Sequence, residues 1–63
     1  MNSSILIQIE LPASLAWAFA QYLKRIGLDD YRQRAADADE AWDMQCAGEI
    51  VRQALAEQGV APR

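Results

Sequence analysis

The sequence predicts a small, mostly helical α+β chain of the order β-α-α, one N-terminal strand and two main helices, completed as a homodimer. Two observations predict it. Apolar residues take every odd position from Ile5 to Leu11, with Gln8 and Glu10 at even ones, and then recur at helical spacing through the rest of the 63 residues, the signatures of a half-covered strand and of amphipathic helices. Only one segment alternates. A lone strand has no mate within its own chain, so the expected mate is the same strand of a second copy, paired as an antiparallel two-stranded ribbon.

The strand is expected over residues 4–11. Ile5, Ile7, Ile9 and Leu11 take the odd positions and form the inward, dimer-ribbon face, while Leu6, Gln8 and Glu10 point outward. Pro12 ends the strand, because it lacks an N–H for the ladder, and its fixed φ suits the start of a helix. That helix is expected over 12–26. At about 100° per residue, Leu15, Phe19, Tyr22, Leu23 and Ile26 share its core face. Trp17 falls on the far side between Gln21 and Lys24, with Leu28 near the same line. Gly27 is expected to stop the helix as a left-handed C′ residue, behind Lys24 and Arg25, whose charges suit the end of the macrodipole.

A short helical turn over 30–35, capped by Asp29 or Asp30, leads to a second long helix over 38–58. Asp37 and Glu40 have the spacing of a capping box. Gly59 and then Pro62 mark the end of that helix, leaving a tail of residues 59–63. Met44, Ala47, Val51, Ala54 and Leu55 make its core stripe, and Trp42, Cys46 and Ile50 a second one, so this helix is expected to be covered on two sides.

Composition fits a folded chain, with 52% apolar and 24% charged residues. A single domain of this length buries only about 60% of its unfolded surface and needs help from disulfides, metal or association. One cysteine, Cys46, and no histidine leave neither an internal disulfide nor a zinc site. Association is what remains. Charge is segregated along the chain: Glu10 stands alone before residue 21, then Lys24, Arg25, Arg32 and Arg34 face Asp29 and Asp30. Asp37, Asp39, Glu40, Asp43 and Glu49 follow with no base among them. The acidic run reads as a helix N-terminus, which favours acids, and no calcium-loop glycine accompanies it. No metal and no cofactor are expected. Cys46 has no histidine to activate it and reads as a small buried apolar residue, so no enzyme is expected either. The first residues lack the basic run of a signal peptide, and Pro12 and Ser14 interrupt the apolar stretch. Neither export nor a membrane span is expected, and the chain reads as cytoplasmic.

The alternating ILIQIEL of residues 5–11, Pro12 at the helix start and the EIVRQALAE of residues 49–57 resemble the ribbon-helix-helix family. The resemblance implies a ribbon across a two-fold axis and major-groove reading by the outward strand positions Leu6, Gln8 and Glu10. A carboxylate at Glu10 and a net charge of −3 disfavour DNA as the partner. The favoured expectation is a non-enzymatic protein-interaction or regulatory module. Its partners would be itself and another protein, met through Trp17, Gln21, Lys24, Leu28 and Trp42, with large aromatics as anchors. The alternative is a ribbon-helix-helix DNA-binding regulator.

Overall fold

Pro12 separates an N-terminal arm without helix or strand from the helices that follow. The computed structural model describes residues 3–63, in which three helices form: α1 (Ala13–Arg25), α2 (Leu28–Arg34) and α3 (Ala38–Glu57). Both shorter helices pack against α3. The result is flat, with principal extents of 34 × 27 × 15 Å.

No strand forms among the described residues, and the β-α-α fold with its ribbon is corrected to an all-helical one. Residues 3–11 form neither helix nor strand and are exposed, and no hydrogen bond among the described residues involves them. The physical reason lies in what a strand is. Alternation prepares a segment for a ladder, but only a neighbouring backbone can supply the hydrogen bonds, and this chain has no second such segment. Ile5, Ile7 and Ile9 remain 85%, 72% and 72% exposed, and Leu11 39%. The ribbon-helix-helix resemblance fails with the strand. So does the groove-reading face of Leu6, Gln8 and Glu10, which depended on a ribbon to present it.

Local chemistry places the helix ends. Pro12, with φ −52° and ψ 144°, caps α1, and its carbonyl accepts from the N–H groups of Leu15 and Ala16 at 3.0 Å each. Gly27 does not take the left-handed conformation expected of it: α1 ends at Arg25, Ile26 turns extended, and Gly27, with φ −114°, becomes the cap of α2. With the next helix starting immediately, the chain needs an extended link there and not a reversal. Asp30 secures the start of α2 by accepting from the Gly27 N–H at 2.8 Å. At α3, the Asp37 carboxylate accepts from the Glu40 N–H at 2.8 Å, and Glu40 reaches back to the Ala36 N–H at 2.8 Å. Two otherwise unpaired donors are thereby satisfied.

The far end of α3 closes with a Schellman motif. The Val60 N–H donates to the Leu55 carbonyl and the Gly59 N–H to the Ala56 carbonyl, both at 2.9 Å. Gly59 sits at φ 86°. An added Cβ there meets nothing within 4 Å, so the cost of Gly59→Ala is conformational alone. We expect about 1 kcal/mol of destabilisation, read as a lowered urea midpoint at unchanged slope.

The buried faces are built from small residues. Ala16, Ala20 and Leu23 are the buried positions of α1, and Ala41 that of α3. Of the residues expected to form the α1 core, Leu23 is buried and Ile26 partly so, whereas Leu15, Phe19 and Tyr22 are 56%, 43% and 52% exposed. On α3 the covered positions are Ala41, Met44, Gln45, Gly48, Arg52, Leu55 and Ala56, so of the expected stripe Met44 and Leu55 are covered while Ala47, Val51 and Ala54 are exposed. Alanine and glycine let helix axes approach closely, and the larger residues are then rotated out to the flanks. A wheel drawn from large side chains alone points to the wrong face.

Candidate functional surface

The alanine seam of α1 divides its exposed surface into two flanks. Around the axis, Leu15, Phe19 and Tyr22 lie about 100° to one side of the buried line, and Trp17, Gln21 and Lys24 about as far to the other. The first flank is apolar. Phe19 and Tyr22 stack, with ring centroids 5.9 Å apart and planes 12° from parallel. Leu15 precedes them one turn earlier, and the exposed arm with Leu11 comes before Pro12 in the chain.

The second flank carries the residues picked from the sequence as a partner surface. Trp17 is 43% exposed, Lys24 is exposed, Gln21 half-buried, and Leu28 half-buried at the first position of α2. Trp42 belongs to a separate place, the outer side of α3, where it is 54% exposed above Cys46 and Ile50. Cys46 is exposed and not the buried residue expected. Trp17 stands on α1 and Trp42 on α3, the helices expected for them. Leu15, Phe19 and Tyr22, assigned to the core, are the surface residues that sequence reasoning missed. The available signal was Ala13, Ala16 and Ala20, whose spacing offers a competing face.

Where the apolar flank meets α2, an open groove of about 330 Å³ is lined by Ala18, Tyr22, Arg25, Ile26, Asp30 and Arg34. Its rim is basic. Arg34 donates to the Asp30 carbonyl at 3.1 Å, Arg32 pairs at 3.4 Å with Asp29, and Arg25 makes no ion pair with a described residue. A second groove of about 270 Å³ lies between the end of α3 and the tail. No group of three or more His, Cys, Asp or Glu side chains among the described residues is placed to hold a metal ion. None of the helices described is long and apolar enough to cross a membrane.

Tyr31, half-buried on α2, faces Gly48 of α3, where a Cβ would collide with its hydroxyl. Burial, then the neighbouring Tyr22, Glu49 and Asp30, pushes its phenol above the ordinary value of 10.0. The folded chain therefore holds this proton more tightly than the unfolded one. Its contribution is complete below a pH of about 10 and is lost as the pH rises through the folded value. Tyr31→Phe should flatten this dependence: between about pH 9 and 11 its urea midpoint falls less than that of the parent chain. Equal falls would show that the phenol titrates alike in both states. The Gln45 side-chain oxygen is buried without a hydrogen-bond donor among the described residues.

The fold and surface thus define a class: a flat three-helix fold with an exposed apolar arm and exposed aromatic residues on α1 and α3. The chain belongs to a family of unknown function (DUF7706), whose match spans residues 1–63. No curated protein matches it, and no solved structure does.

Proposed function

We propose that this chain is a non-enzymatic protein-interaction module, whose working surface is the apolar arm together with the Leu15, Phe19 and Tyr22 flank of α1. One observation carries the reading: seven large apolar side chains between Ile5 and Tyr22 lie bare, Ile5, Ile7, Ile9, Leu11, Leu15, Phe19 and Tyr22 being between 39% and 85% exposed. Folded monomers rarely leave an apolar surface of this kind uncovered, and where they do it usually marks a binding site. Aromatic residues are the common anchors of such sites. The absence of histidine from the chain supports the non-enzymatic half of the proposal.

Dye binding under dilution tests it. A dilute chain should bind anilinonaphthalene sulfonate at these bare side chains and should release it when a polypeptide covers that surface. A dilute chain that binds no dye and unfolds cooperatively has no surface in need of cover, and the reading would fall.

A further inference from the structure

We infer that the occupant of this surface is a second copy of the chain, seated with the two α1 helices antiparallel and each arm laid over the other copy's α1–α2 end. The inference rests on the interaction reading above and names the partner. The first argument is area. The chain exposes 5422 Å², whereas a folded protein of 7.0 kDa is expected to expose about 4,000 Å². The radius of gyration, 12.7 Å, likewise exceeds the roughly 10.6 Å of a compact chain of this length. The surplus is about 1,400 Å² per chain, or about 2,800 Å² for a pair, which falls in the range of obligate homodimers and well above that of a transient contact. A surplus of that size needs cover whenever the chain is folded. The polypeptide present in matching amount on every such occasion is the chain itself.

The second argument is complementarity. Leu15, Phe19 and Tyr22 are nearly symmetric about Phe19, so an antiparallel pair sets Leu15 of each copy against Tyr22 of the other, as a two-fold interface requires. Pro12 joins the arm to the N-terminal end of α1. In the antiparallel pair that end lies beside the other copy's Arg25 and Ile26, at the groove rimmed by Arg25 and Arg34. The only charge on the arm is Glu10, two residues before Pro12, and it arrives there opposite those guanidinium groups. Leu11 and Ile9 follow the apolar side of the groove, at Tyr22 and Ile26. Residues 3–11 reach about 30 Å when extended, against about 20 Å for α1, so the arm passes the end of the helix and lies across α2. The two arms run apart and do not pair with each other.

Light scattering of the full chain at micromolar concentration should give about 14 kDa, twice the 7.0 kDa of one chain. In a Cys46→Ser background, Phe19→Cys should be joined between copies by a short bismaleimide, and Ile50→Cys should not. Mixing Leu15→Cys chains with Tyr22→Cys chains gives the same link by a second route if Phe19→Cys does not fold. Glu10→Arg should weaken association about fivefold, as should Arg25→Glu, and the double variant should recover it. A dimer linked through Ile50 and not through Phe19 or the Leu15–Tyr22 pair, or one that the double charge exchange does not restore, overturns the arrangement. A 7.0 kDa species that binds dye overturns the second copy and leaves the interaction reading standing with a foreign polypeptide. A species of that mass that binds no dye overturns both.

Discussion

Leu23→Ala should abolish the cooperative unfolding transition. Leu23 is 7% exposed and is the one bulky side chain among the buried apolar residues described; the other three, Ala16, Ala20 and Ala41, carry only a methyl group. Its Cδ2 lies 3.7 Å from the position of a Cβ on Gly48, so it fills the gap that the glycine opens in α3. Truncating such a side chain costs about 2–5 kcal/mol, the lost transfer energy plus the cavity left behind. A chain of this length has roughly 3–9 kcal/mol of stability in all. The expected result is a shallow, drawn-out loss of helicity in urea in place of a sigmoid. A sharp transition displaced by less than about 1 kcal/mol would mean that the core lies elsewhere.

Ala41→Leu should be nearly as damaging, for the opposite reason. Ala41 is 0% exposed, near the start of α3. Alanine and leucine have similar helix propensity, so α3 itself loses little. The added atoms have nowhere to go, and forcing them in costs about 1–3 kcal/mol or moves a neighbouring helix away. Ala47→Leu is the matched control on the same helix, since Ala47 is exposed, and should stay within about 0.5 kcal/mol of the parent. Thermal melts of the two variants side by side decide the matter: equal midpoints would refute the close packing of α3.

These two positions also show why the fold was only partly legible in the sequence. The helix ends could be read because they depend on local groups. Pro12 has no donor to lose, Asp37 and Glu40 reach amides within a turn of themselves, and Gly59 alone tolerates its backbone angle at no cost. The buried face could not be read that way. It is decided by how closely two helices approach, and there Ala16, Ala20, Ala41 and Gly48 outweigh Leu15, Phe19 and Tyr22 because they are small. Gly27 was misread because the start of α2 at Leu28 changes what the link must do. The arm was misread at a different level. Its alternation is real, but a strand is a property of two segments, and the chain contains one. The apolar surface now assigned to Leu15, Phe19 and Tyr22 was hidden by the same preference for large residues that had placed them in the core.

The small-residue seam carries a consequence for how such a chain can vary. With three of the four buried apolar positions among the described residues held by alanine, the interior tolerates almost no replacement at those sites and is nearly indifferent to the rest. Random change at Ile7, Phe19 or Trp42 would be close to neutral for an isolated chain, and drift would be expected to replace such bulky residues with polar ones. Any pressure that keeps them apolar must come from whatever lies against them. A set of natural variants would therefore separate the two constraints: positions that refuse anything larger than alanine report the fold, and positions that refuse anything polar report the partner.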